Sequence, residues 1–142
     1  MLFEAEDWKM DIYGPEINKF IDTILATTFE YGRNRPILLA SFTPEICILA
    51  AYKQTKYPVR FLSESGLYST GDIRASSLQQ AVHFAKRWGL PGVIMESNPF
   101  VASPALIGYV KEKGLGCASW GGNNDIPENA LVRLIHLSAK VY

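Results

Sequence analysis

Short apolar runs alternate along this chain with segments whose apolar residues recur at helical spacing. Pro36-Ile37-Leu38-Leu39-Ala40-Ser41-Phe42 follows the polar turn Gly32-Arg33-Asn34-Arg35 and reads as a buried strand. Pro58-Val59-Arg60-Phe61-Leu62, Gly92-Val93-Ile94-Met95 and Leu115-Gly116-Cys117-Ala118-Ser119-Trp120 read as three more. All four are short and apolar, as strands buried between layers tend to be. Between them the period changes. From Pro15 to about Tyr31, residues Ile17, Phe20, Ile21, Ile24 and Leu25 share one helical face. Thr43-Pro44-Glu45 has the residues of a helix start. Ser76-Ser77-Leu78-Gln79 has capping-box spacing, ahead of Leu78, Ala81, Val82, Ala85 and Trp88, and Gly89 and Pro91 stop that helix. Ser103-Pro104 caps a helix running to about Lys113, with Gly114 beyond its end. Asp125 and Pro127 open a last one through Leu134 and Leu137.

A helix followed by four strand–helix units implies a parallel sheet with right-handed crossovers. Four units are about half of a (β/α)₈ barrel. A small doubly wound sheet fits the same alternation. Composition narrows the function more than the fold. The 142 residues are 48% hydrophobic and 20% charged, which is the make-up of a globular domain. Fourteen Lys and Arg balance fourteen Asp and Glu. A net charge of zero argues against a nucleic-acid partner and a polybasic membrane surface. No apolar run is long enough to span a bilayer, and the acidic start MLFEAEDWKM is not a secretory signal. Cys47 and Cys117 lie far apart and form neither a disulfide framework nor a zinc-ligand spacing, so the expected setting is reducing and cytoplasmic.

In either architecture ligands gather at the carboxyl ends of the strands. Those ends carry Ser41 and Phe42, Ser63 and Glu64, Glu96, Ser97 and Asn98, then Trp120, Asn123 and Asn124. The loop from Glu64 to about Ala75 is long and polar, with Ser65, Gly66, Tyr68, Gly71, Asp72 and Arg74, and is a candidate lid or substrate contact. Glu64 and Glu96 each follow a buried strand and are candidates for cation binding or acid–base work. Solvated strand ends are the alternative. Trp120 ends an apolar strand before Gly121-Gly122-Asn123-Asn124, so its indole can wall a pocket or simply fill the core. His83 and His136 lie in helices, away from the catalytic edge, and the two cysteines read as inert buried thiols.

Several of these runs resemble the glycerophosphodiester phosphodiesterases. Arg35-Pro36-Ile37-Leu38-Leu39-Ala40-Ser41-Phe42 with Pro44-Glu45-Ile46-Cys47 is similar to that family's serine–phenylalanine strand, in the form found in large fungal members with an N-terminal regulatory region and ankyrin repeats. Tyr57-Pro58-Val59-Arg60-Phe61-Leu62-Ser63-Glu64-Ser65-Gly66 resembles the next strand, and Gly71-Asp72-Ile73-Arg74-Ala75-Ser76-Ser77-Leu78-Gln79 its following loop and helix start. Ser119-Trp120-Gly121-Gly122-Asn123-Asn124-Asp125 resembles the aromatic-to-asparagine segment late in the barrel, and Glu4-Ala5-Glu6-Asp7-Trp8 also fits this subfamily.

The resemblance implies a partial TIM (β/α)₈ barrel, about four βα units of its C-terminal half, with residues 1–142 as one partial domain. It implies hydrolysis of glycerophosphodiesters such as glycerophosphocholine to glycerol 3-phosphate and an alcohol. In the intact family domain, Mg²⁺ or Ca²⁺ polarises the phosphate and a histidine pair supplies acid and base. By carry-over Trp120 lines the substrate pocket, Asn123 sits beside it, and Ser41 and Phe42 stand at its mouth. Glu64 and Arg74 are added as substrate contacts from their position. The chain departs from the pattern in lacking the family's His-Arg-Gly strand, Glu-x-Asp metal ligands, His-Asp element and Glu-x-Lys strand. The expectation is therefore no catalytic residue, no metal and no turnover in this fragment alone, poor stability, and self-association through open sheet edges. A non-catalytic regulatory domain and an independent doubly wound binding module stand as the alternatives.

Overall fold

The computed structural model describes residues 16–129. They fall in two units, divided after Pro36. The first holds helix α1 (Ile17–Gly32). Both oxygens of the Glu16 carboxylate cap its start, accepting from the backbone N–H groups of Asn18 and Lys19 at 3.0 and 2.9 Å. Ile21 and Leu25 on the expected face are buried, whereas Phe20 is exposed.

The second unit is a four-stranded parallel sheet: β1 (Leu39–Ser41), β2 (Val59–Ser63), β3 (Gly92–Glu96) and β4 (Gly116–Trp120). The strands lie side by side in chain order, β1-β2-β3-β4. This order removes the doubly wound alternative, which needs a point where strand order reverses. A singly wound parallel sheet is one arc of a barrel. Helices α2 (Pro44–Lys53), α3 (Leu78–Arg87), α4 (Asn98–Ala102) and α5 (Ala105–Glu112) fill the crossovers.

The register sorts the side chains of the sheet into two faces. Leu39, Val59, Phe61, Val93, Met95 and Cys117 share one face. Against them lie Cys47 and Ala50 of α2, Val82, Phe84 and Ala85 of α3, Phe100 of α4, and Ile107 and Val110 of α5, in one continuous hydrophobic core. Phe61 is fully buried, with the Phe84 ring edge-on at 4.8 Å. The opposite face carries Ala40, Arg60, Leu62, Ile94, Glu96, Ala118 and Trp120. In a closed barrel this is the face that turns inward.

Local chemistry moves several expected boundaries. The run from Pro36 to Phe42 pairs only over Leu39–Ser41, because β1 matches three residues of β2. The cap of α3 is Ser77 and not Ser76: the Ser77 Oγ accepts from the Gln80 N–H at 3.1 Å, while the Ser76 hydroxyl donates to the Ile73 carbonyl at 2.7 Å. Trp88 ends up half-exposed past the last turn. Thr43 precedes α2 without a side-chain cap bond, and Pro104 takes the N-cap position of α5. Helix α4 has no counterpart in the sequence reading, because five residues are too few to establish a helical period. At the far end of α5, Lys86 of α3 donates to the Lys113 carbonyl at 2.8 Å, a cation at a helix C-terminus. The Glu4–Trp8 segment, His136 and the later turns of the last helix lie outside the described residues.

One-sided burial predicts a large contrast between neighbours. Phe61→Ala should cost about 3–5 kcal/mol in urea unfolding, enough to erase the cooperative transition of a marginal domain. Leu62→Ala, one residue along on the open face, should cost less than half as much. Equal losses would mean that both faces are packed.

Candidate functional site

The carboxyl ends of β1, β3 and β4 bring together Phe42, Glu96 and Trp120 beside the end of β2. Trp120 ends β4 in register with Glu96 of β3. Its indole reaches back over β3, and Nε1 donates to the Ser63 carbonyl at the end of β2 at 3.2 Å. That bond fixes the ring plane across three strand ends. Phe42, just beyond β1, meets it edge-on, with ring centroids 5.7 Å apart and planes at 88°. Phe42 remains half-exposed. The two rings form an aromatic wall with one side open to solvent.

Under this wall lies a buried carboxylate. Glu96 is 5% exposed. Its Oε1 accepts from the Ser97 hydroxyl at 3.1 Å and its Oε2 from the Asn98 backbone N–H, in the first turn of α4, at 2.7 Å. Charge-assisted bonds of this kind keep a buried carboxylate satisfied. Gly121 makes the packing possible. A Cβ there would lie 2.7 Å from Oε1 of Glu96 and 2.8 Å from the Ser97 Oγ, and its φ of +110° is one that side chains avoid. Glycine at this position therefore lets the chain after Trp120 pass directly over the carboxylate.

The asparagines behind Trp120 hold the rim. Asn123 Nδ2 donates to Asn98 Oδ1, which ties the turn after β4 to the start of α4. The Ser119 hydroxyl donates to Asn124 Oδ1 at 2.9 Å, and Asn124 Nδ2 donates to the Ser119 carbonyl at 2.9 Å. Asn129 Nδ2 donates to the Asn123 carbonyl at 3.1 Å.

The other expected site residues are placed differently. Ser41 falls on the helix-facing side by register, and its Oγ accepts from the Thr43 N–H at 3.0 Å. Glu64 begins a turn in which its carbonyl accepts from the Leu67 N–H at 3.0 Å. Arg74 is tied to Asp72 at 2.5 Å and to Glu45 of α2 at 2.6 Å, with its guanidinium 5.8 Å above the Phe84 ring. It pins the long β2–α3 loop to α2. The hydrogen bond from Arg74 holds the Asp72 carboxyl below its usual range. Burial pushes the Cys47 thiol up to about 12 and Cys117 to about 11, so neither is a nucleophile at neutral pH. His83 is exposed on α3.

The sequence pattern treats Glu64 and Glu96 alike as cation or acid–base candidates, and only Glu64 is carried on as a substrate contact. The signal that separates them is the glycine: only Glu96 faces a Gly-Gly turn on the neighbouring strand. Among the described residues no three His, Cys, Asp or Glu side chains converge on a point that a cation could take. No described helix is long and apolar enough to cross a membrane.

Comparison with known proteins adds the following. The model of the "Glycerophosphoryl diester phosphodiesterase family" matches residues 3–140. The glycerophosphocholine phosphodiesterase GDE1 of Candida albicans is 42% identical over 135 residues, 94% of this chain and 12% of that protein. GDE1 of Eremothecium gossypii is 38% identical over 134 residues, again 94% of this chain and 10% of its own length. Human glycerophosphocholine phosphodiesterase GPCPD1 is 34% identical over 117 residues, 80% of this chain and 17% of its length. The chain thus spans about a tenth of the length of its fungal relatives. No solved structure gives a significant match.

The Arg74 clamp predicts a defined pH response. Asp72 is depressed in the fold, so its contribution is full above the ordinary carboxylate range and is lost as pH falls through the lower, folded value. Arg74→Met should cost below about 1 kcal/mol at pH 7, because all three charged groups are about one-third exposed. The gap between wild type and variant in urea midpoints should stay flat above about pH 5 and shrink below about pH 4. A gap that widens in acid would refute the assignment.

Proposed function

The chain belongs to the glycerophosphoryl diester phosphodiesterase family, and from that footing we propose that residues 1–142 are one partial domain contributing the aromatic side of a glycerophosphodiester-hydrolysing site. The observation that carries this reading is the Phe42–Trp120 wall over buried Glu96, at the carboxyl edge of a singly wound parallel sheet. That edge is where barrels of this kind place substrate.

In this reading glycerophosphocholine is the substrate, as the names of the fungal and human relatives suggest. The products are glycerol 3-phosphate and the alcohol. Trp120 and Phe42 present apolar surface to the carbon skeleton of the diester, and Asn123 braces the rim. Glu96, buried and anchored, positions α4 and the Gly121 turn against the bound ligand. Ser41, Glu64 and Arg74 hold the surrounding frame.

The divalent cation that the family resemblance implies does not fit the described residues. One buried carboxylate with both oxygens engaged is not a metal shell. No step is therefore routed through a metal here. The acid, the base and the cation belong to elements with no counterpart among these 142 residues, and the isolated chain binds without turning over. Among the described residues no strand pairs the outer edges of β1 and β4, which supports self-association. Two free cysteines, distant in sequence, support a reducing, cytoplasmic setting.

Two measurements test this. The purified chain given glycerophosphocholine should release no glycerol 3-phosphate, and release of it would overturn the division of labour. When the chain is restored to a complete family domain, Trp120→Ala should lower kcat/KM for glycerophosphocholine about tenfold or more. An unchanged kcat/KM would remove Trp120 from the site.

A further inference from the structure

The inward face of the sheet holds one side chain that its own surroundings leave incomplete. Register sets Ala40, Arg60, Gly92 and Gly116 in one row across the four strands, on the face opposite the helices. Arg60 is the only side chain in that row larger than a methyl group. It extends over β3 at Gly92 and comes to rest on β4. A Cβ on Gly116 would lie 3.0 Å from its Nη2 and 3.4 Å from its Cζ. The glycine therefore makes the space that the guanidinium occupies.

Among the described residues, nothing accepts from the inner edge of this half-buried guanidinium. Its Nε is buried without a hydrogen-bond partner, and among the described residues no carboxylate pairs with Arg60. A buried donor left this way costs free energy, and a partner that accepts from it removes the cost. The only carboxylate within the four strands is Glu96, and both of its oxygens already accept hydrogen bonds. The strands of a second copy laid face to face would offer only Glu96 again, with both oxygens taken.

We infer that Arg60 is a socket for a carboxylate carried by the β/α units that complete the cylinder. The occupant is the rest of the family domain, bearing an Asp or Glu on an inward strand position level with the Arg60 row. Two observations besides charge select it. Barrel interiors are filled in layers by side chains from alternate strands, and this layer is occupied by one long side chain beside two glycines and an alanine. The fungal relatives also contain far more chain than these residues match, so they have the length to supply the missing strands. The inference rests on family membership and does not depend on what the site hydrolyses.

The test uses opposite signs from one substitution. In the isolated chain, Arg60→Met replaces an unsatisfied buried donor by an apolar stem and should raise the melting temperature by about 2–4 °C. Co-expressed with the rest of the family domain of the Candida albicans relative, the wild-type chain and Arg60→Lys should both retain that partner through purification. Arg60→Met should retain about tenfold less. The inference is overturned if Arg60→Met destabilises the isolated chain, if retention ignores the charge at position 60, or if the wild-type chain captures only itself.

Discussion

The described structure is governed by burial on one side of a sheet. The inner strands β2 and β3 have a face deeply covered by helices, whereas no residue of β1 or β4 is fully buried. Right-handed crossovers between strands in sequential order put the crossover helices α2 to α5 on one side, and the register then assigns Phe61, Val93 and Met95 to that side and Arg60, Leu62 and Ile94 to the other. The core is sound where the helices lie. The inward face mixes Arg60 and Glu96 with Leu62, Ile94, Trp120, two alanines and two glycines, a composition suited to the interior of a closed cylinder and poorly suited to water.

The same constraint builds the site. A strand end that faces inward can hold a buried carboxylate only if the next strand gives it room, and Gly121 provides that room beside Glu96. Trp120 can cover three strand ends because its one polar atom is satisfied by the Ser63 carbonyl, which frees the rest of the indole to act as apolar surface. Asn98 and Asn123 then lock the turn after β4 to the helix after β3. Position in the barrel and local hydrogen bonding together make the aromatic wall a fixed object instead of a flexible side chain.

Much of this was legible in the sequence, and the parts that were not have physical reasons. The four apolar runs gave the strands because a buried parallel strand needs almost continuous hydrophobicity. Their ends were less visible: Pro36 to Leu38 are as apolar as Leu39 to Ser41, and only the partner strand decides which residues pair. The wall of Phe42 and Trp120 could be anticipated from strand-end position. The facing of Ser41 could not, since period-two alternation sends it to the helix side and Phe42 to the other. Arg74 looked like a ligand contact because a cation in a long loop invites that reading; Asp72 two residues before it and Glu45 on α2 take its guanidinium. Arg60 was hidden inside an apolar run, and its meaning needs the registry with Gly92 and Gly116, which no linear pattern reveals.

The central claim is that these strands are an arc whose inward face and outer edges are completed by other β/α units. Amide hydrogen exchange read by mass spectrometry on the purified chain tests it most directly. The account predicts strong protection in the inner strands β2 and β3, much faster exchange in β1 and β4, and a slowing of both outer strands when the rest of the family domain is supplied. Uniform, strong protection of all four strands in a monomeric chain would contradict it.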